Sequence, residues 1–183
     1  MRCFIGGIAG LALAAAGAAA QEMPRKIEKT ALCFDQACKK GEAEFRPWEL
    51  KLSLPKTLAQ CTTYRTTPFF AVVLTRNIPE TAEYDCDDLP KERAADRGEM
   101  ARQKALGIFP GHTIFLRMMC VSFGDYVQYS VAGEGGMQRN FLAVYARDRA
   151  TADRIQYAAR RFYPVPAVVS MTARIEHGDD KCQ

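Results

Sequence analysis

Apolar and polar positions recur along this chain in an order that predicts its elements. Residues 69–75, Phe-Phe-Ala-Val-Val-Leu-Thr, form an unbroken apolar run after Pro68. Such a run predicts a central, well-buried strand. Residues 91–106 are rich in Ala, Arg, Glu, Lys and Met, all good helix formers. Pro90 suits the first turn of that helix, and Gly107 supplies a stop. Ala94, Ala101, Ala105 and Ile108 mark its apolar side, with Gly98 a mild flaw. Residues 112–120 then alternate: Ile114, Leu116, Met118 and Cys120 share one face, Thr113, Phe115, Arg117 and Met119 the other. A turn at Phe123-Gly124-Asp125 leads to a strand at 126–131, expected to pair with 112–120 as a hairpin.

Residues 140–174 read as strand, helix, strand. Phe141-Leu142-Ala143-Val144-Tyr145 is the first strand, and Asp148 is placed to cap the helix behind it. Ile155, Ala158, Ala159 and Phe162 form the apolar stripe of that helix, and Arg149, Arg154, Arg160 and Arg161 its wet side. Tyr163-Pro164 ends it. In the closing strand Val169, Met171, Ala173 and Ile175 alternate with Val168, Ser170, Thr172 and Arg174. Nearer the start, Trp48, Leu50, Leu52 and Leu54 alternate between Pro47 and Pro55, the mark of a half-buried edge strand. Residues 21–29 read as a loose leader, 30–44 as a loop pinned by Cys33 and Cys38, and 56–67 as a loop without period.

The two longer patterns match each other. Phe69-Phe70-Ala71-Val72-Val73 aligns with Phe141-Leu142-Ala143-Val144-Tyr145, and Phe109-Pro110 with Tyr163-Pro164. Each half is strand, Arg/Ala-rich helix, strand. Two such units with right-handed crossovers give an α+β, ferredoxin-like two-fold βαβ sandwich: an antiparallel sheet with both helices on one face. This pattern resembles the SPOR (sporulation-related repeat) family over residues 69–175, above all in 139–169, where an Arg/Ala helix beginning Asp148-Arg149-Ala150 leads to an aromatic-Pro pair. The resemblance implies an extracytoplasmic βαββαβ domain that binds peptidoglycan glycan strands. The family's Val-Gln pair in the opening strand has no counterpart here, so no binding residue transfers from it.

Composition adds a compartment. Met1-Arg2, an apolar run to Ala16 and Ala18-Ala19-Ala20 form a secretory signal peptide cleaved after Ala20, with a membrane anchor as the alternative reading. Its Ala-rich style points to bacterial export, to periplasm or medium. The chain then divides into a signal peptide at 1–20, an N-terminal extension with disulfides at 21–66 and the α+β domain at 67–183. Six cysteines remain after cleavage: Cys33, Cys38, Cys61, Cys86, Cys120 and Cys182. In an exported chain they read as three disulfides. A metal site would pair C-x-x-C spacing with histidine, whereas only His112 and His177 are available. Without Arg2 the 24 basic and 21 acidic residues leave a net charge of +3. That is too small and too mixed for nucleic acid, and fits weak attraction to anionic envelope polymers. No membrane span is expected after signal removal.

Candidate chemistry is sparse. The acids Glu83, Asp85, Asp87 and Asp88 lack the spacing of a calcium loop. Neither histidine accompanies a nucleophile motif, and Gly133-Glu134-Gly135-Gly136 does not open a helix. No enzyme and no cofactor is called for. The sheet face away from the helices would carry Phe115, Arg117, Phe141, Ala143, Tyr145, Ser170, Thr172 and Arg174. Arg117, Tyr145 and Arg174 are therefore the candidate binding residues, since rings stack on sugars and guanidinium forks hold carboxylates. The alternative is that the N-terminal segment with Trp48 lies across this face. The expected function is non-enzymatic binding in the cell envelope, of peptidoglycan glycan, or else a protein-interaction factor whose sheet is capped by its own N-terminus.

Overall fold

The structure, a computed structural model, describes residues 24–33, 45–76, 91–117, 127–134, 140–178 and 182, with side chains of the 91–117 segment described from Arg97 onward. The strands are β1 (Lys26–Thr30), β2 (Leu32–Cys33), β3 (Lys51–Leu52), β4 (Thr62–Thr66), β5 (Phe69–Arg76), β6 (Ile114–Arg117), β7 (Gln128–Val131), β8 (Phe141–Ala146) and β9 (Ala167–His177). The helices are α1 (Lys91–Ile108) and α2 (Arg149–Ala159). The architecture is α+β. Seven strands make one mixed sheet, and β2 pairs with β3 separately.

The centre of the sheet runs β9, β5, β8, β6, with every pairing antiparallel. Its register carries the internal match seen in the sequence. Val72 and Val144 occupy matching positions, and they are paired directly with each other. The aromatic-Pro match sets Ile114 against Val168. Ile114 pairs with Val144, and Val168 with Val72. The same holds one step on, where Phe115 pairs with Ala143 and Val169 with Ala71. The two halves are thus related by a local two-fold through the Val72–Val144 pair.

Both helices pack on one face. Val72, Leu74, Ile114, Leu116, Leu142 and Val144 from the strands meet Ala105 of α1, Phe109 just beyond it, and Ala152, Ile155 and Ala159 of α2 in one buried cluster. Gly98 is buried in α1, in line with Ala101 and Ala105, so small residues let the helix approach the strands closely. Asp148 caps α2, accepting from the Thr151 N–H at 2.7 Å. That bond, with the Thr151 hydroxyl, holds the Asp148 carboxyl below its ordinary range. Of the expected stripe of α2, Ile155 and Ala159 are buried, together with Ala152, whereas Ala158 is exposed. Phe162 lies past the end of the helix and is 59% exposed.

Four other expectations are corrected. Residues 21–29 include β1, which pairs in parallel with β4 and makes the sheet mixed rather than antiparallel throughout. The supposed loop 56–67 includes β4, whose Thr62, Thr63 and Thr66 are buried. Its five residues, Thr-Thr-Tyr-Arg-Thr, have strand-favouring side chains but no apolar alternation. β7 forms no hairpin with β6. It pairs with β9, because β6 lies beside β8 at the other side of the sheet. The faces of β9 are also reversed. Phe69 pairs with Met171, so Met171, Ala173 and Ile175 face away from the helices, and Ser170, Thr172 and Arg174 face the helix side.

Cys61 and Cys182 are disulfide-bonded across a sequence separation of 121 residues, and Cys33 is disulfide-bonded as well. A cross-link closing so long a loop stabilises by roughly 4–5 kcal/mol in the chain-entropy view. It folds over Gly178, where φ is +135° and a Cβ would sit 2.5 Å from the Cys182 sulfur. Cys38, Cys86, Cys120, the acidic loop and the signal segment lie outside the described residues. No described helix is long and apolar enough to cross a membrane.

Candidate binding surface

The face away from the helices is a second core. Phe115, Phe141, Ala143 and Tyr129 are 0–2% exposed. Phe115 and Phe141 meet edge to face at 5.8 Å between centroids, and Tyr129 joins them at 5.1 and 5.6 Å. The N-terminal segment lies across them as a strap. Leu50, Leu52 and Leu54 are all buried in this cluster, as their alternation requires. The buried Tyr129 hydroxyl accepts from the Leu50 N–H at 3.0 Å, and the Leu116 N–H donates to the Trp48 carbonyl at 3.0 Å. The aromatic groups considered for sugar stacking therefore stack on each other.

The strap contains one ionisable group under strain. Burial pushes the Glu49 carboxyl up to about 7, against the opposing pull of the Arg46 N–H and charge and the Val127 N–H. The Arg46 N–H donates to Glu49 Oε2 at 3.3 Å. Burial also raises Tyr129, with the Glu49 charge adding to it.

Arg117, Tyr145 and Arg174 are not brought together. Arg117 stands beside Phe141 and Tyr145 beside Ala71, at opposite ends of β8. Both belong to the strap side, where burial draws the Arg117 guanidinium below its ordinary value and raises the Tyr145 phenol. The Tyr145 ring packs on Phe69 with centroids 5.7 Å apart. Arg174 points to the opposite face, in the second half of β9.

That second half belongs to a different part of the sheet. β4 and β5 follow one another along one edge of β9, and β7 lies along the other. β1 continues the sheet beyond β4. The helix-side core includes Val168 of β9 but no residue of β1, β4, β7 or the rest of β9. Among the described residues the helix-side core does not extend over this half-sheet, and Lys29 and Arg65 are exposed on that side, while Tyr64, Tyr129 and Ile175 close its strap side.

Across the open face runs a row of paired residues: Lys29 with Arg65, Arg65 with Arg174, Arg174 with Gln128. Strand spacing places successive side chains about 5 Å apart. Arg174 Nε donates to Gln128 Oε1 at 3.1 Å, and its Nη2 lies 3.2 Å from Glu176 Oε1. Arg25 approaches the other Glu176 oxygen at 3.9 Å. Lys29 and Arg65 are exposed, and among the described residues neither side chain has a hydrogen bond or an ion pair. Like charges directly opposite on a sheet cost roughly 0.2–1 kcal/mol per pair. An anion laid across the row removes that cost and gains charge-assisted hydrogen bonds.

Sequence reasoning selected Arg174, for the face opposite to the one it occupies, and did not select Lys29 or Arg65. The missing signal was in the strands themselves: once Thr-Thr-Tyr-Arg-Thr is read as a strand with Tyr64 inward, Arg65 must point out. Thr172, Ser130 and Gln128, all half-buried, supply hydroxyls and an amide around the row. Among the described residues no cluster of His, Cys, Asp or Glu is placed to hold a metal. No family model, no curated protein and no solved structure matches this chain.

Proposed function

We propose that this protein is an exported, non-catalytic binding domain of the cell envelope that holds an anionic glycan, peptidoglycan foremost, across its open half-sheet. The observation that carries the reading is the row Lys29–Arg65–Arg174, set on a face that the helices leave open. Among the described residues, the side chains of Lys29 and Arg65 have no counter-charge, and the groups around them are polar. Of the three residues selected from sequence, Arg174 belongs to this surface. Arg117 and Tyr145 serve the core. The Cys61–Cys182 disulfide is compatible with export. The order β9, β5, β8, β6 and its two-fold register support a ferredoxin-like βαββαβ unit of the SPOR kind, extended by β1, β4 and β7.

Co-sedimentation with purified peptidoglycan sacculi tests the reading. The wild-type protein is expected to pellet at low salt and to be released as salt screens the row. Arg65→Ala with Arg174→Ala is expected to abolish pelleting without changing the melting temperature by more than a few degrees. Wild-type protein that stays in the supernatant at low salt removes the proposal. It favours the second reading, a protein-interaction factor, which the strap over the inner face supports.

A further inference from the structure

The two halves match at their helix ends, where Phe109-Pro110 aligns with Tyr163-Pro164. In that alignment Ala105 corresponds to Ala159, and both are buried against the sheet. The outer positions do not match. Gln103, Ile108 and Gly111 in the first half correspond to Tyr157, Phe162 and Val165 in the second. Ile108 packs against the helix-side core, whereas Phe162 is exposed. Tyr157 is 69% exposed and Val165 80%. Of the five large apolar side chains exposed among the described residues, these three fall within residues 157–165, so they form a cluster rather than a scatter. The first half closes its helix end without them, so the fold does not require them.

The cluster is held in place. The Phe162 and Tyr163 N–H groups both donate to the Ala159 carbonyl at 2.9 Å, continuing the last turn of α2. Val165 stands between Pro164 and Pro166, and Gln156 Nε2 donates to the Pro166 carbonyl at 2.9 Å, which ties this loop back to the helix. Exposures this high belong to a projecting knob, since the walls of a groove shield one another. Interleaved with the knob are Arg154, Arg160 and Arg161, all exposed. Arg154 donates to the Thr151 hydroxyl at 2.9 Å, and the side chains of Arg160 and Arg161 have no hydrogen bond or ion pair among the described residues. The one acid within residues 149–165, Asp153, is bound to Arg149 at 2.8 Å.

We infer that the end of α2 and the loop behind it dock the protein on an anionic lipid surface, with Tyr157, Phe162 and Val165 entering the headgroup boundary and Arg154, Arg160 and Arg161 meeting lipid phosphates. Each chemistry has its counterpart there. Guanidinium forks match phosphate oxygens, and aromatic side chains settle where one side is apolar and the other wet. A short apolar insertion ringed by cations binds reversibly, in proportion to the apolar area it buries and to the negative charge of the surface. The knob shares no residue with the Lys29–Arg65–Arg174 row, so variants separate the two surfaces.

Co-sedimentation with vesicles tests this, using phosphatidylcholine alone and phosphatidylcholine mixed with phosphatidylglycerol. Wild type is expected to bind the mixed vesicles roughly tenfold more tightly than the neutral ones and to be released by salt. Phe162→Ser with Val165→Ser, and separately Arg160→Gln with Arg161→Gln, are each expected to lose roughly tenfold in affinity for the mixed vesicles. All four positions are exposed, so the melting temperature should hold. Arg65→Ala with Arg174→Ala should keep vesicle affinity within about twofold. Wild type that ignores mixed vesicles, or binds both kinds equally, overturns the inference. So does full binding by both knob variants, or loss of binding in the row variant, which moves the contact to the row. If Phe162→Ser with Val165→Ser keeps lipid binding and loses sacculus binding, the knob belongs to the glycan and the inference falls.

Discussion

β9 passes through two regions that differ in how they treat water. At Val168 it lies between the helices and the strap, in a core closed on both faces. By Arg174 it lies in the half-sheet of β1, β4 and β7, closed on the strap side alone. The first region is the repeated unit, in which each strand has a matching partner across the Val72–Val144 axis. The second consists of strands outside that match. The matched strands and the two helices on them bury their own surface and leave little to offer a ligand. The added strands extend the sheet past the reach of two helices, and the exposed cations fall there. The place to look for function is where the symmetry stops.

The comparison predicts that the open region depends on its staple. Cys61→Ser with Cys182→Ser is expected to cost about 4 kcal/mol in denaturant unfolding. Amide exchange should rise chiefly in β1, β4 and residues 172–177, with Val72 and Val144 protected as before. Equal loss of protection in both regions would mean that they are one cooperative unit.

The closed region carries a pH signature. Glu49 has a folded-state value of about 7, above the ordinary 4.5. Its protonated form is favoured in the folded chain, so its contribution to stability is complete below about pH 4.5 and is lost as pH rises through 7. Glu49→Gln is expected to stabilise the protein by about 2–3 kcal/mol at pH 8 and by little at pH 4.5. A variant no more stable than wild type at pH 8 removes the buried carboxylate from the account.

The smallest effect concerns the joint between the regions. The Thr66 hydroxyl oxygen accepts from the Ala173 N–H at 3.0 Å, where β4 gives way to β5. Thr66→Val keeps the shape and deletes the acceptor, at a cost of about 1–2 kcal/mol. A loss below 0.5 kcal/mol, roughly the limit of such a measurement, would show that water replaces the bond.

What the sequence revealed follows the same division. β5, β8, α1, α2 and the Asp148 cap were legible because apolar runs and helix periods are local signals. The strap was legible through the alternation of Leu50, Leu52 and Leu54. β1 and β4 were not, because their strand state comes from backbone pairing at a sequence separation of 36, as between Lys26 and Thr62, with little apolar pattern to announce it. The pairing of β7 with β9 is likewise distant in sequence and overrode the nearer hairpin. The faces of β9 were ambiguous because Val168 and Val169 are both apolar, and only the Phe69–Met171 register decides between them. Of the basic row, Arg174 could be selected as an outward cation. Its neighbours Arg65 and Lys29 appear only once β4 and β1 are known to be strands.

The most direct test of the account maps the bound surface residue by residue. Amide chemical shifts are recorded as peptide-free peptidoglycan glycan is titrated into the protein. The account predicts shifts concentrated at Lys29, Arg65, Gln128, Thr172 and Arg174, with the inner residues Phe115, Phe141 and Ala143 unmoved. Shifts centred on Arg117 and Phe141, or spread over α1 and α2, contradict it.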